Sequence, residues 1–178
     1  MKTLHTIRIT KEDLFDIDYR YQPELTKKLD EMNSDFDQEI INEIVLWKVN
    51  RYTSVSSESL RLINEIEKTD AILDKDLTKK ILKSLLLNKG IRIAMASSIL
   101  RFKNSKIYQI IDQRVYRFIT GQELKYSIND IDGQIKLYLH YLEILRESCD
   151  IYKIDYELSD RILFQMDKKF NKSLKINY

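Results

Sequence analysis

A short turn between two predicted helices carries the first residues whose types and spacing could do chemistry. The turn occupies residues 88–92 and reads Asn-Lys-Gly-Ile-Arg. At the start of the second helix, backbone N–H groups point outward, and together with the helix dipole they attract anions, phosphate especially. The turn therefore predicts a site for a phosphate-containing partner.

A second segment whose residues could do chemistry, residues 110–117, contains a single carboxylate, Asp112. It comes directly before residues 113–119, whose apolar side chains fit one face of a helix. Gly121 is expected to end this helix. Aspartate is a favoured residue at a helix N-cap, and capping alone would explain its presence here. Arg114 and Arg117 follow closely, and their charges would favour the ionised form of the carboxylate.

The charges along the chain are segregated, although the net charge of +2 is too small to name a partner. Residues 1–40 contain six basic and ten acidic side chains, whereas Lys79 to Arg117 contain ten basic side chains and one acid, Asp112. Clustered lysine and arginine bind nucleic acid by neutralising phosphates and releasing counterions. The alternative is a solvated helix face, the commonest meaning of a charge run.

The elements that must position these residues are expected to be helices, because three glycines and one proline in 178 residues cannot supply the turns of a β-sandwich or barrel. Apolar residues recur at helical spacing over most of the chain after residue 36. Helices are predicted near 23–32, 36–52, from Ser56 or Ser57 onward, from Asp76 to Gly90, and over 91–102, 113–119, 128–152 and 157–170.

Several site classes are excluded by composition. The one cysteine, Cys149, rules out an intramolecular disulfide framework, a four-cysteine zinc site and a cysteine-ligated iron–sulfur cluster. His5 and His140 have no partner at metal-ligand spacing, so no metal site is expected. No stretch approaches the ~20 apolar residues of a membrane span, so we expect no membrane association and, by default, a cytoplasmic location.

The two segments together resemble the signature of the helix-hairpin-helix DNA glycosylase superfamily. Residues 87–100 read Leu-Asn-Lys-Gly-Ile-Arg-Ile-Ala-Met-Ala-Ser-Ser-Ile-Leu, and residues 110–117 read Ile-Ile-Asp-Gln-Arg-Val-Tyr-Arg. The family pairs a hairpin L-P-G-V-G-x-K-T-A-x-x-[IVL]-L with a downstream V-D-T-H-V-x-R-[VL] at a nearly fixed separation. Leu100 and Asp112 are twelve residues apart, which suits that separation.

The resemblance implies an all-α helical bundle around one DNA-binding cleft. It implies a main domain over 36–178, with the hairpin at about 77–102 and the acidic segment 1–35 packed against it. Duplex DNA is then the expected partner, in a DNA repair role, and no protein partner is indicated. The implied DNA contacts are Lys89, Gly90, Arg92, Arg114 and Arg117. No cofactor is expected, although the hairpin carbonyls could hold a cation.

The resemblance also implies that Asp112 is the essential carboxylate, which stabilises the oxocarbenium-like sugar as the N-glycosidic bond breaks. An anion beside a developing cation is worth far more in a water-poor cleft than in bulk water. Members that cleave the strand carry a Schiff-base lysine four residues after the first hairpin glycine, and that position is Ala94 here. Catalysis, if it occurs, should therefore be monofunctional.

The chain departs from the family pattern at the hairpin. The family proline is replaced by Asn88 or Lys89, and Arg92 stands at the second glycine. A non-catalytic DNA-binding module is therefore the alternative to an enzyme, and a protein scaffold is a third interpretation. The target base stays open among alkylated purines, oxidised guanine, uracil and modified cytosines.

A base-extruding enzyme needs an aromatic or apolar slot for the base. Trp47, Tyr52 and Tyr108 are the candidates for this slot, with core packing as the alternative for each. Trp47 lies near the end of a predicted helix that should border the cleft in this fold.

Overall fold

A computed structural model describes residues 1–15, 23–49, 55–88 and 90–176 of the chain. All regular structure within these ranges is helical, which confirms the predicted all-α class. The nine α-helices in these ranges are α1 (Lys11–Phe15), α2 (Pro23–Glu31), α3 (Gln38–Val49), α4 (Ser57–Asn64), α5 (Lys75–Leu86), α6 (Ile93–Lys103), α7 (Gln113–Thr120), α8 (Ile131–Tyr152) and α9 (Ser159–Phe170). A short 3-10 helix, Tyr156–Leu158, precedes α9.

Polar side chains set the starts of the helices. Ser56 caps α4, and Asp112 caps α7, as their sequence positions predict. Helix α5 begins one residue before the predicted Asp76, because the Asp74 carboxylate accepts the N–H groups of Asp76 and Leu77. Helix α7 ends at Gly121, whose φ of 74° is a left-handed conformation that glycine adopts without steric cost.

The core lies between α5, α6 and α8, with α4 packed on α5 and α3 on α6. Ile81 and Leu85 of α5, Ile99 of α6 and Leu145 of α8 are fully buried. Helix α7 packs against both α8 and α9. Ala94 of α6 and the start of α7 line one cavity of this bundle.

The described residues of the acidic first 35 contact the rest of the bundle at several points. The Leu4 amide donates to the Phe118 carbonyl at 2.6 Å, and the Lys2 amide donates to the Asn171 side chain at 2.8 Å. The Asp30 carboxylate pairs with Arg101 of α6 and with Arg161 of α9. The charge segregation of the sequence is therefore partly expressed as ion pairs inside this chain.

Within the described ranges, every helix is too short or too polar to traverse a lipid bilayer.

Candidate functional site

A cavity of about 840 Å³ opens between α3, α6, α7, α9 and the segment that joins α7 to α8. Its walls are mostly apolar, and Asp112 lies among them. The apolar and aromatic wall residues are Trp47, Ala94, Ile110, Ile111, Val115, Leu124, Tyr126, Ile128 and Phe164. The polar wall residues are Lys48, Asp112, Gln113, Glu123, Lys125, Asp160 and Arg161. This size and composition suit a small organic ligand with a few polar contacts.

Asp112 is half-buried and uses one carboxylate oxygen to cap α7. Its Oδ1 accepts the Arg114 amide at 2.7 Å. No other hydrogen bond to this carboxylate is present in the part of the chain that the structure describes. The second oxygen can therefore interact with a ligand in the cavity.

The segment before Asp112, residues 107–111, is held by side chains from other elements. The Tyr138 and Tyr141 hydroxyls of α8 donate to the carbonyls of Gln109 and Ile110 at 3.0 and 2.7 Å. The Ile111 amide donates to Ser97 Oγ of α6 at 3.1 Å. These bonds, made by buried groups, fix the path of the chain into the cavity wall and so fix the position of Asp112.

Helix α6 contributes Ala94 to the wall of the cavity. Ala96, Ser97 and Ser98 are buried and small, so segment 107–111 can approach this helix closely. By the sequence resemblance alone, Ala94 corresponds to the position at which strand-cleaving members of the resembled family carry lysine. No amine is present at this point of the wall.

Arg114 and Arg117 do not pair with Asp112. Arg117, only 5% exposed, forms two hydrogen bonds of 2.8 and 2.7 Å with the fully buried Asp167 of α9, and Arg114 joins the same carboxylate at 3.1 Å. Asn171 donates a further bond to it at 2.9 Å. Both arginine side chains instead bind the buried carboxylate of Asp167.

The turn at 88–92 is bound to α4 through Asn88. Its side-chain oxygen accepts the Ser56 amide at 3.2 Å, and its side-chain nitrogen donates to the Ser84 carbonyl at 2.7 Å. These hydrogen bonds of Asn88 stabilise the turn. Gly90 is exposed with φ of 89°, a conformation that favours glycine. Lys89 lies outside the described residues.

Arg92 lies at the first residue before α6, and it is exposed. Its side chain forms no cap hydrogen bond, and its Nη1 donates to the Ile91 carbonyl at 3.3 Å. Burial raises the pKa of Tyr126, and the Arg92 charge acts in the opposite direction. Arg92 stands two residues before Ala94, which lines the cavity.

No protein-family model matches this chain, and neither a curated protein nor a solved structure is detectably similar to it. Function therefore rests on the cavity and its surroundings.

The three aromatic candidates for the cavity differ in position. Trp47 lines it, with its indole N–H donating to Thr26 Oγ1 at 2.6 Å. Tyr108 is buried away from the cavity lining, and its hydroxyl shares a hydrogen bond of 2.8 Å with Thr78 of α5. The Tyr108 ring is buried in the core because segment 107–111 contacts both α5 and α8. Tyr52 lies outside the described residues.

Several wall residues carry no motif in the sequence. Arg161 and Phe164 come from α9, three residues apart on one helical face, and that spacing was their only signal. Gln113 exchanges two hydrogen bonds with the Leu124 backbone, at 3.0 and 2.8 Å, and so ties the segment after α7 to the cavity. This bracing depends on contacts eleven residues apart and has no local signature.

In the described ranges, no group of three or more histidine, cysteine, aspartate or glutamate side chains is arranged to hold a metal ion.

Proposed function

We propose that this chain is a DNA glycosylase-like protein that binds duplex DNA and hydrolyses the N-glycosidic bond of a modified or mismatched base. The observation that carries the proposal is the position of Asp112. Its carboxylate lies in the wall of a mostly apolar cavity, and the helix that follows the basic turn forms another part of that wall. The resemblance of both segments to the glycosylase signature supports the same assignment.

In the proposed reaction, the bond between the sugar C1′ and the base nitrogen breaks, and the electron pair leaves with the base. The Asp112 carboxylate stabilises the positive charge that develops on the sugar and orients a water molecule, whose oxygen bonds to C1′. One proton of the water goes to the departing base and the other stays on the new hydroxyl. The products are a free base and an abasic sugar.

The proposed reaction stops at base removal. A strand-cleaving glycosylase needs an amine that forms a Schiff base with the sugar. Ala94 supplies none at the position where the resembled family places it. The proposed products are therefore an intact strand and a free base.

DNA contact is proposed at the turn and at the edge of the cavity. Gly90 and Arg92 are exposed beside the start of α6, and Lys125 is exposed at the cavity. Lys79, Lys80 and Lys83 add positive charge on the exposed side of α5, the helix that leads into the turn. Arg117 is buried against Asp167, so its role in this proposal is to hold α7 rather than to bind phosphate.

The decisive experiment compares Asp112→Asn with Asp130→Asn. Asp130 is a matched control because it also caps a helix, through a bond of 2.8 Å to the Gly133 amide, but is exposed and outside the cavity lining. Duplexes with a panel of modified bases are incubated with each protein, and free base is measured by mass spectrometry and binding by gel shift. We expect Asp112→Asn to bind DNA without releasing base, and Asp130→Asn to behave as wild type.

Absence of free base with the wild-type protein across the panel would overturn the enzymatic proposal. Base release by Asp112→Asn at the wild-type rate would overturn the role of Asp112. Nicked strands before any alkaline treatment would contradict the monofunctional assignment.

A non-catalytic DNA-binding module is the second proposal. It is favoured by the capping bond of Asp112, which alone accounts for an aspartate there, and by Arg92 at a glycine position of the resembled family. This proposal requires DNA affinity that falls steeply with salt, with no free base. A protein scaffold, the third interpretation, requires no such salt dependence.

A further inference from the structure

Helix α2 contacts two parts of the cavity wall from outside the motif that carries the proposed function. Thr26 and Asp30 are four residues apart, so they lie on one face of α2. Thr26 is buried, and Asp30 is three-quarters buried. Neither residue lines the cavity, yet each binds a residue that does.

Thr26 fixes the indole of Trp47. The Trp47 Nε1–H donates to Thr26 Oγ1 at 2.6 Å, in a buried position. The indole also packs edge-on against Phe102, with ring centroids 5.1 Å apart and an interplanar angle of 88°. A hydrogen bond at one edge and a ring contact at another leave the indole little freedom to rotate.

Asp30 fixes Arg161. Its carboxylate bridges two guanidinium groups, those of Arg161 and Arg101. Arg101 is nearly fully buried and also donates to the Glu157 carbonyl at 3.1 Å, so it anchors Asp30 from the far side. Asp160 adds a second acid, 3.7 Å from Arg101 Nε. Arg161 is thereby held against a network that spans α2, α6 and α9.

We propose that Thr26 and Asp30 are positioning residues for the cavity, through which α2 sets the orientation of Trp47 and Arg161 toward a bound ligand. The identity of that ligand as a nucleobase rests on the proposed function, whereas the orientation of Trp47 does not. An aromatic face and a guanidinium donor are groups that hold a planar heterocycle by stacking and by hydrogen bonds. Small rotations of such groups reduce turnover more than they reduce overall DNA binding.

The test uses Trp47 as a built-in reporter, since it is the only tryptophan in the sequence. Thr26→Val keeps the shape of the side chain and removes the hydroxyl, while Thr26→Ser keeps the hydroxyl. We expect Thr26→Val to shift the Trp47 emission and increase its quenching by acrylamide, and Thr26→Ser to match wild type. Helical circular dichroism, compared among the three proteins, shows whether the fold is retained.

Base release supplies the second readout. We expect Thr26→Val to lower kcat on the order of ten- to a hundredfold, with little change in KM for the duplex, and Thr26→Ser to restore it. Asp30→Asn is expected to act in the same direction. Its matched control is Glu31→Gln on the same helix. The Glu31 carboxylate is exposed and pairs with Lys27 at 4.0 Å.

Unchanged emission and quenching in a folded Thr26→Val protein would overturn the positioning role of Thr26. Normal kcat in that variant, with wild type active, would overturn the functional importance of the contact. If wild type releases no base, the proposed enzyme fails on its own account, and the fluorescence comparison of Thr26→Val with Thr26→Ser still decides the positioning of Trp47. Base release by a folded Asp30→Asn protein at the rate of Glu31→Gln would overturn the positioning role of Asp30.

Discussion

At the scale of single residues, Asp112 combines a structural bond with a position in the cavity wall. One oxygen caps α7, and the residue lines the cavity. These two properties are separable by substitution, because asparagine caps a helix about as well as aspartate but carries no charge. The residue thus permits a direct comparison of stability with activity.

We predict that Asp112→Asn leaves the free energy of unfolding nearly unchanged, whereas Asp112→Ala lowers it by about 1 kcal/mol through loss of the cap. Urea denaturation of wild type and both variants measures the difference. If Asp112→Asn destabilises the protein as much as Asp112→Ala does, the negative charge itself is structural, and loss of activity in Asp112→Asn could no longer be assigned to chemistry.

At the scale of helices, the buried carboxylate of Asp167 joins α7 to α9. It accepts hydrogen bonds from Arg114, Arg117 and Asn171, and it is fully buried. Because α7 begins at Asp112 and α9 carries Arg161 and Phe164, this joint holds opposite sides of the cavity together. Arg114 and Arg117, two of the ten basic residues between Lys79 and Arg117, therefore form ion pairs within the protein.

We predict that Asp167→Ala lowers the free energy of unfolding by about 3–5 kcal/mol, since it leaves the buried Arg117 guanidinium without a counter-charge. Asp76→Ala is the control, because it breaks an exposed pair with Lys79 at 3.1 Å, worth at most about 1 kcal/mol. Chemical denaturation of the two variants makes the comparison. Equal losses in both would show that the α7–α9 joint contributes no more than a surface pair.

At the scale of the whole molecule, burial favours the neutral form of several tyrosine hydroxyls and of the cysteine thiol. Burial raises the pKa of the hydroxyls of Tyr108, Tyr138, Tyr141 and Tyr156, and it raises the pKa of the Cys149 thiol to about 12. The neutral form of each group is therefore favoured in the folded chain. Two of these hydroxyls, those of Tyr138 and Tyr141, hold the segment that leads to Asp112.

We predict that the protein unfolds cooperatively in alkali. A raised folded-state pKa means that the stabilisation is fully present below the unfolded-state pKa, near 9 for the thiol and 10 for the phenols, and is lost as pH rises beyond it. Tyrosinate absorbance and circular dichroism are followed together through a pH titration, and the absorbance rise of the four buried tyrosines should coincide with the loss of helical signal. Gradual ionisation of all the tyrosines with helicity retained would contradict this account.

The helices could be predicted from the sequence because their signals are local. Apolar residues at three- and four-residue spacing, with caps at Ser56 and Asp112 and a closing glycine at Gly121, specify α4 and α7 within short windows. Helix α1 went unpredicted because its five residues hold too little periodicity to read. The sequence by itself thus determined the helical class, most helix positions and the location of Asp112 at the start of α7.

Only the tertiary structure decided which charges and aromatic rings meet. Arg117 and Asp167 are fifty residues apart, and Asp30 and Arg161 are 131 apart, so no local pattern marks these pairs. Trp47 and Tyr108 are both almost fully buried, but of the two Trp47 lines the cavity and Tyr108 does not. The positions of such residues depend on which helices pack together. Helix packing is determined by the free energy of the whole core and not by neighbouring residues in the chain.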